Sequence, residues 1–392
     1  MQVTKPHIFK AKWRLLDFMR QADVPGLINL AAGVPSPNLL PGKLLSECFA
    51  KAYREEGKKL FAYQAPEGDH GLREILAQRM QHRGVDVSKL EMVLTTGCTQ
   101  AIHTAIDVAV KPGMVVAVEC PAYYGMLELL SAKGVKVLPL STDIATGIDL
   151  ERSQKLISQY KPRVLIVCSS LSNPSGATIP EDKRENFVAF CRKKKITIIE
   201  DDIYANLIEG GVPRPLRAYD NGETVIYVTS FSKTVAPGLR VGMAIPGKYL
   251  ESFAEIQCRE NIHSSVISER TLKHFFLDPR GEKSLQRFVS SCCKRRKILR
   301  RALLRYLPED ALVSDPRGGY MLWVKLAKAV NLRLAQQACL KKRVAFAHGE
   351  VFFTKTVPGQ YMRINAAKAV EQDLEVGCKV LGKAIKQQLT KN

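Results

Sequence analysis

The chain has 392 residues, of which 46% are hydrophobic and 25% charged, a composition typical of a globular protein with a substantial core. No apolar stretch reaches the ~20 residues that a membrane-spanning helix needs, and the N-terminus lacks the apolar core of a secretory signal. The ten cysteines include no CxxC pair, and no HExxH sequence occurs. We therefore expect a cytoplasmic protein with reduced thiols, no membrane partner and no bound metal.

The net charge is +21, from 59 Lys and Arg against 38 Asp and Glu, a balance that can indicate a nucleic-acid partner. The densest basic run, Lys294 to Arg301, is accompanied by Ile298, Leu299, Leu303 and Leu304 at helical spacing. No aromatic residues are interleaved there to stack on bases. We interpret the run as the solvent-facing side of an amphipathic helix and consider a nucleic-acid partner unlikely.

Between residues 91 and 244 the chain alternates short apolar runs with amphipathic segments. The apolar runs predict strands at 92–95, 115–118, 135–140, 164–168, 196–199 and 225–229. The amphipathic segments predict helices at 99–110, 124–133, 150–159 and 181–193. Near-continuous Val and Ile runs that alternate with helices predict an α/β fold with a mostly parallel sheet covered by helices on both faces.

After residue 249 the pattern changes to long helical stretches, followed by an alternating run at residues 319–326. This change predicts a second, smaller α+β domain. We assign residues 46–270 to a large domain, and residues 1–45 together with residues 271–392 to the small domain.

Lys233 follows one of the predicted strands, with Ser230 and Ser232 before it and Arg240 after it. A lysine held against a dry core has a lowered pKa, so its amine can act as a nucleophile near neutral pH. The two hydroxyls and the guanidinium could hold an anion such as a phosphate ester. A surface lysine in a serine-rich loop is the alternative for this run considered alone.

Further polar groups occur where other predicted strands end, which is where open α/β sheets bind ligands. Thr96-Gly97-Cys98-Thr99 opens a helix, whose free amides and dipole favour an anion. Asn173 follows the strand at 164–168, in a segment that could also be a simple Pro-Gly turn.

Two more groups complete the set. Glu200-Asp201-Asp202, with Tyr204 shortly after, follows the strand at 196–199 and could otherwise suggest a magnesium site. Arg363 lies in an apolar, strand-like stretch, where its charge needs an anionic partner, either a structural carboxylate or a substrate.

Taken in order, these motifs resemble the class I/II aminotransferases of the pyridoxal 5′-phosphate fold-type I superfamily. The resemblance runs from about Leu27 to Arg363 and is strongest to the 2-aminoadipate, kynurenine and aromatic aminotransferases. The same group contains the aminotransferase-like domains of winged-helix regulators. In this group the lysine and the following arginine are seven residues apart, as Lys233 and Arg240 are.

The resemblance implies a pyridoxal 5′-phosphate cofactor and a role for each central residue. Lys233 would form a Schiff base with the cofactor aldehyde and then carry the proton between the substrate Cα and the cofactor C4′. Asp201 would keep the pyridine nitrogen protonated, which makes the ring an electron sink. Tyr204 and Asn173 would hydrogen-bond the ring oxygen, and Tyr123 would stack on the ring face.

The resemblance also implies where the two anionic groups bind. Arg363 would bind the α-carboxylate of the amino acid with both arms of its guanidinium. The cofactor phosphate would be held by the backbone at the helix start, at Gly97, Cys98 and Thr99. The side chains of Ser230, Ser232 and Arg240 would also bind it. The chemistry implied is ping-pong transfer of an amino group from an L-amino acid to a 2-oxo acid.

The family shares its active sites across a homodimer. Tyr63 lies in a segment that resembles the one whose tyrosine reaches the phosphate of the partner, and Gly33, Ala32 and Asn173 resemble residues that contact the substrate. Two departures from the family pattern, Cys98 where relatives often have serine and His348 where they commonly have proline, are interpreted as differences in specificity. We expect His348 to be structural or pocket-lining and not catalytic.

Two other functions remain open on the same motifs. One is a regulator whose aminotransferase-like domain senses the cofactor, although the ~26 residues before Leu27 are fewer than a winged-helix domain with a linker needs. The other is a different pyridoxal-phosphate reaction, such as β-elimination, oxidation or cyclisation, because a fold does not determine the reaction type.

Overall fold

The computed structural model describes residues 5–11, 15–22, 24–357 and 359–389. The α-helices in this part of the chain are α1 (Leu15–Ala22), α2 (Gly42–Glu56), α3 (His70–Gln81), α4 (Gly97–Ala109), α5 (Tyr124–Ala132), α6 (Leu150–Tyr160), α7 (Glu181–Lys193), α8 (Leu250–Asn261), α9 (Val266–Leu277), α10 (Pro279–Tyr306), α11 (Leu332–Lys341) and α12 (Asp373–Leu389).

The strands are β1 (Ile28–Asn29), β2 (Val93–Thr95), β3 (Val115–Cys120), β4 (Lys136–Asp143), β5 (Gly147–Ile148), β6 (Val164–Val167), β7 (Thr197–Asp201), β8 (Val225–Ser230), β9 (Gly242–Ile245), β10 (Leu312–Val313), β11 (Met321–Lys325), β12 (Val344–Ala345), β13 (Ala347–His348) and β14 (Tyr361–Asn365).

An eight-stranded sheet with the order β2-β9-β8-β7-β6-β3-β4-β5 forms the centre of the fold. Strands β4, β3, β6, β7 and β8 are parallel to their neighbours in that order. Strand β9 is antiparallel to both β2 and β8, and β5 is antiparallel to β4. The predicted α/β class with a mostly parallel sheet is confirmed, whereas β9 was not among the predicted strands.

Side chains alternate between the two faces of the sheet along each strand, and helices bury both faces. On one face Ile199 and Ile226 share a core with Ala101 and Ile106 of α4. On the other face Ile198 packs in a core with residues of α6 and α7. This two-sided burial explains why the strands appear in the sequence as continuous apolar runs.

A four-stranded antiparallel sheet, β10-β11-β14-β13, follows later in the chain, and β1 pairs with β12. Leu30 packs in the same core as Leu322 and Ile364, so the N-terminal stretch lies with the C-terminal elements. The domain bounds themselves stay predictions. Helix α9 crosses the predicted boundary at residue 270 and packs Leu272 and Phe275 into a core that includes β8 and β9.

The basic run lies on α10, as predicted, with Leu299 and Leu303 buried. Several cations of the run, and Arg305 after it, form ion pairs, which are Lys294 with Glu371, Lys297 with Glu209, Arg300 with Asp315 and Arg305 with Glu375. The positive charge of this face is therefore partly compensated within the chain. None of the helices in the described residues is long and apolar enough to span a membrane.

Candidate active site

A cavity lies where β6, β7 and β8 end and α4 begins. It is lined by twelve of the predicted site residues, which are Ala32, Gly33, Cys98, Thr99, Tyr123, Asn173, Asp201, Tyr204, Ser230, Ser232, Lys233 and Arg240. Three predicted site residues do not line it. Gly97 lies behind it at the start of α4, Arg363 contacts Asn173 beside it, and Tyr63 lies elsewhere on the surface.

Lys233 lies on the single helical turn that follows β8. Its Nζ donates a hydrogen bond of 2.9 Å to the carbonyl oxygen of Gly33. Burial lowers the pKa of Lys233 to about 8, and the positive charge of Arg363 contributes to this decrease. About a tenth of the amine is therefore uncharged and nucleophilic at pH 7, and about half at pH 8.

The three consecutive acids at the end of β7 point to opposite faces of the sheet. Glu200 and Asp202 share one face, where Glu200 accepts hydrogen bonds from the amides of Leu216 and Arg217. Asp202 accepts one from Arg83 at 2.7 Å. Asp201 points the other way, into the cavity. The acids do not converge on one point, so the magnesium alternative finds no support from this cluster.

Among the described residues, one group of histidine and carboxylate side chains has the spacing of a metal site. His103, Asp107 and Glu260 lie within 4.8 Å of one another on α4 and α8. Lys133 also pairs with Asp107, so this carboxylate already has a cationic partner. The predicted absence of a metal stays a prediction.

The Asp201 carboxyl is held by weak donors. Its Oδ1 accepts from the amide of Ile203 at 3.2 Å and from the thiol of Cys98 at 3.6 Å. Burial raises the pKa of Asp201 to about 6. Because few strong donors stabilise its charge, this carboxylate is a strong acceptor for a positively charged N–H group.

Arg240 and two serines surround the first turn of α4 and form an anion cradle, which we define as the start of α4 together with Ser230, Ser232 and Arg240. The side chain of Thr96, the N-cap residue, makes no capping hydrogen bond, and the first amides of an α-helix have no intrahelical partners. Arg240 donates to Ser232 Oγ at 3.2 Å and to the Thr96 carbonyl at 3.4 Å.

Gly97 makes room for the cradle. Its φ of +76° is in the left-handed region, and a Cβ there would lie 2.5 Å from Arg240 Nη2. Free amides, a helix dipole, hydroxyls and a guanidinium around one space are the donors that a phosphate dianion needs. The residues present therefore fit a phosphorylated cofactor.

Arg363 lies on β14, where it pairs with Trp323 of β11 and Ala347 of β13. Its guanidinium donates to Asn173 Oδ1 at 2.8 Å and to the Ala31 carbonyl at 2.5 Å, and it stacks 4.9 Å from the Phe352 ring. No carboxylate pairs with it within the described residues. A buried, uncompensated cation is costly, which favours an external anion over the structural alternative.

The backbone of residues 31–34 lies between Lys233 and Arg363. Asn29 accepts from the amides of Ala31 and Ala32 at 3.0 and 2.9 Å, and Asn365 donates to the carbonyls of Ala32 and Val34. A Cβ on Gly33 would lie 3.3 Å from Arg363 Nη1. Sequence reasoning missed both asparagines, although Asn365 ends the motif that contains Arg363.

The tyrosines of the cavity remain protonated donors. Burial raises the pKa of both Tyr204 and Tyr123. The Tyr204 ring meets Tyr320 edge-on at 6.2 Å, and the Tyr123 ring lies 5.0 Å from Tyr124. Tyr320 carries no sequence signal beyond its place beside an alternating strand, and it was not predicted.

The remaining lining residues are mostly apolar and were also missed, because apolar residues carry no chemical signature in a sequence. They are Leu15, Met19, Asn29, Ala31, Val34, Ile102, Tyr124, Cys168, Ile203 and Ala345. Leu15 and Met19 are four residues apart, a spacing that places them on one face of α1. The N-terminal helix therefore contributes to the cavity.

Two other residues singled out in the sequence lie outside the cavity lining. Tyr63 is 82% exposed, and within its own chain it makes an edge contact with His263 at 5.5 Å. His348 is buried on β13, and burial lowers its pKa to about 4, so it is neutral at physiological pH.

The cavity combines a nucleophilic lysine, a separate phosphate-binding site and a buried carboxylate. These groups match the aldehyde, the phosphate and the basic ring nitrogen of a phosphorylated pyridine aldehyde. This combination defines the class of pyridoxal-phosphate-dependent enzymes. The family model "Aminotransferase class I and II" matches residues 25–381, and the chain belongs to this family. It is a pyridoxal-phosphate-dependent aminotransferase of fold type I.

Individual relatives are similar to this chain along nearly its whole length. The chain is 26% identical to aromatic-amino-acid aminotransferase 1 of Thermococcus litoralis, over 96% of this chain and 92% of that protein. It is 28% identical to the uncharacterized HTH-type transcriptional regulator YdcR of Escherichia coli, over 99% of this chain and 83% of that protein.

Among solved structures, the chain is similar to the α-aminoadipate aminotransferase LysN of Thermus thermophilus in complex with N-(5′-phosphopyridoxyl)-L-leucine. The TM-score is 0.89 at 25% identity, and the match covers 98% of this chain and 97% of that one. This similarity confirms the predicted fold and extends beyond the cofactor-binding sheet to both ends of the chain.

Proposed function

We propose that the cavity residues divide transamination into three tasks, which are holding the cofactor, moving a proton and binding the amino acid. The observation that carries the proposal is Lys233, a buried lysine of lowered pKa in one cavity with Asp201. When bound, pyridoxal phosphate supplies an aldehyde that reacts with amines and a ring that takes up the electron pair released at the substrate Cα.

Lys233 would hold the cofactor through its amine, and the same amine, when free, would move the proton. Its pKa of about 8 leaves enough neutral amine at pH 7–8 to accept a proton from the substrate Cα, and the same group then returns the proton. Its hydrogen bond to the Gly33 carbonyl keeps the amine beside the backbone that we expect to border the substrate, at Ala32 and Gly33.

Asp201 would accept the N–H of the protonated cofactor ring. The charge of this buried carboxylate is poorly solvated, so a cationic partner is strongly favoured. Tyr204 and Asn173 would donate to the ring oxygen. The amide oxygen of Asn173 accepts from Arg363, and its amide N–H remains available as the donor. Tyr123 would cover one face of the ring.

The anion cradle holds the phosphate, with the amides of Cys98 and Thr99 at the start of α4 and the side chains of Ser230, Ser232 and Arg240. Gly97 contributes by leaving room for Arg240. Because the cradle is separate from Lys233, these residues would hold the phosphate independently of the lysine.

Arg363 binds the α-carboxylate of the amino acid. Its contacts with Asn173 and the Ala31 carbonyl fix the plane of the guanidinium, and a fixed planar fork is the geometry that a carboxylate recognises with two parallel hydrogen bonds. All amino acids share this group, so Arg363 sets the orientation of the substrate and not the choice of side chain.

Reduction with borohydride tests the proposal directly. Treated holoenzyme should carry the cofactor on a tryptic peptide that contains Lys233, and mass spectrometry locates the label. A half-reaction screen, in which single amino acids discharge the visible absorbance of the holoenzyme, then shows whether the amino group is transferred. Labelling of another lysine would overturn the assignment of Lys233.

We further propose a homodimer in which Tyr63 reaches the partner's phosphate site. Exposed apolar residues near it support an interface, because Tyr53, Phe61 and Ile262 are all about half exposed or more. Mixed dimers of Lys233→Ala with Tyr63→Ala provide the test. One site of each mixed dimer would combine an intact Lys233 with an intact Tyr63, so mixing should restore activity that neither variant has alone.

We also propose that the enzyme acts in the cytoplasm. All ten cysteines are free, and Cys292 and Cys293, which are adjacent in sequence, are both buried. Free thiols are typical of reducing compartments. Fractionation of cells, with immunodetection of the protein, tests this location.

A further inference from the structure

We propose that Glu119 is a positioning residue for the substrate carboxylate, acting through the backbone segment 168–172. We call Asn173 and Arg363 the carboxylate clamp, because their side chains are joined by a hydrogen bond of 2.8 Å. The inference rests on the proposed role of Arg363. Glu119 does not line the cavity, so any effect on the substrate must pass through its neighbours.

Glu119 lies near the end of β3, next to β6 in the sheet, and is 3% exposed. Strand β6 ends at Val167, and the next amide, that of Cys168, donates to Glu119 Oε1 at 3.0 Å. Ser172 Oγ donates to the same oxygen, also at 3.0 Å. One carboxyl oxygen thus ties together the two ends of the segment 168–172.

This segment needs such support. Leu171 has a φ of +53°, a left-handed conformation that is unfavourable for a residue with a branched side chain. Asn173 follows Ser172 directly, so a displaced Ser172 displaces the amide that orients Arg363. The chain of contacts therefore runs from Glu119 through Ser172 and Asn173 to the guanidinium.

The protonation state of Glu119 suits this role. Burial raises the pKa of Glu119 to about 8, and the negative charge of Asp201 adds to this increase. The neutral form therefore predominates at pH 7, with Oε1 as the acceptor. Its second oxygen, Oε2, has no hydrogen-bond partner within the described residues. A glutamine reproduces this neutral acceptor, whereas a methionine keeps the size and removes the acceptor.

The variants Glu119→Gln, Glu119→Met and Ser172→Ala separate these contributions. Ser153→Ala is the matched control, because Ser153 is equally buried and its hydroxyl has no hydrogen-bond partner in the described part of the chain. Each holoenzyme is assayed for KM and kcat with the twenty protein L-amino acids as donors. Its melting temperature is measured on the same preparation.

We expect Ser172→Ala to raise KM by about 3- to 10-fold, the effect of one lost hydrogen bond, by a similar factor for every active donor and with kcat within twofold. Glu119→Met should raise KM further. Glu119→Gln and Ser153→Ala should match the wild type. Melting temperatures that fall while every KM stays unchanged would assign Glu119 to structure alone and overturn the inference.

A double-mutant cycle with Arg363→Lys completes the test. If Glu119 acts through Arg363, Ser172→Ala adds little to the KM of the Arg363→Lys enzyme. If the effects of Ser172→Ala and Arg363→Lys on KM were fully additive, Ser172 would not act through Arg363. If the single variant Arg363→Lys has an unchanged KM, both the clamp and the inference are overturned. If Arg363→Lys raises KM but Ser172→Ala and Glu119→Met do not, only the inference is overturned.

Discussion

Replacing Asp201 and Asp202 in turn by asparagine should produce opposite effects on stability and activity. Asp201→Asn removes the carboxylate that we propose to hold the ring nitrogen, and we expect turnover to fall by orders of magnitude. The adjacent Asp202 is bound to Arg83 and Tyr227 on the other face of the sheet. Its replacement should leave the turnover of folded enzyme close to that of the wild type.

The expected stabilities follow from the burial of the two acids. Burial raises the pKa of Asp201 from 3.8 to about 6, and each pKa unit corresponds to ~1.4 kcal/mol. Cofactor-free Asp201→Asn should therefore be more stable than the wild type at pH 7 by up to about 3 kcal/mol. Asp202→Asn removes one partner of a buried ion pair and should be less stable by about 3 kcal/mol or more.

Denaturant unfolding of the cofactor-free proteins, combined with turnover of the loaded enzymes, measures both effects. The direction in which stability changes with pH is a further test. Because the folded pKa of Asp201 is raised, wild-type stability should decline between pH 4 and pH 6 relative to Asp201→Asn, and the difference should be constant above that range. An Asp202→Asn enzyme that is inactive while Asp201→Asn turns over would show that we have assigned the wrong acid to the ring.

Three further predictions concern the cradle and the clamp. Lys233→Ala should abolish turnover yet retain noncovalent cofactor through gel filtration, and complete loss of cofactor would contradict a separate phosphate seat. Arg363→Lys should raise the KM of every donor by about 30- to 150-fold, or 2–3 kcal/mol, whereas a lowered melting temperature at constant KM would make Arg363 structural. Gly97→Ala should weaken cofactor binding in equilibrium dialysis because its Cβ would displace Arg240, while Gly113→Ala, at a similar positive φ with open space around it, should not.

Most of the sheet could be predicted from the sequence because its strands are buried on both faces. Continuous runs such as Val164–Val167 have no other common explanation when helices alternate with them. Strand β9 was missed since its four residues follow directly on the motif of Lys233, and only its pairing with β2 and β8 makes it a strand. Such long-range pairing leaves no local pattern.

The candidate site could be predicted where the residue type itself indicates the chemistry, as it does for Lys233 and Arg363. The period of a strand places Asp201 opposite Glu200 and Asp202, but it does not tell which face borders the cavity, so that choice depended on the family resemblance. Glu119 was not predicted at all. Its role follows from two hydrogen bonds to residues about 50 positions later, and no spacing in the sequence encodes them.

The position of β2 has a consequence for the order in which the protein assembles. Within the described residues β2 lies at the edge of the sheet and pairs with β9 alone, and 146 residues separate the end of one at Thr95 from the start of the other at Gly242. Strand β2 can therefore join the sheet only after β9 has been synthesised, and such distant pairing is slow. Because α4 begins directly after β2, we expect the anion cradle to be completed late in folding, so that the rate at which refolding chains bind the cofactor should report when β9 enters the sheet.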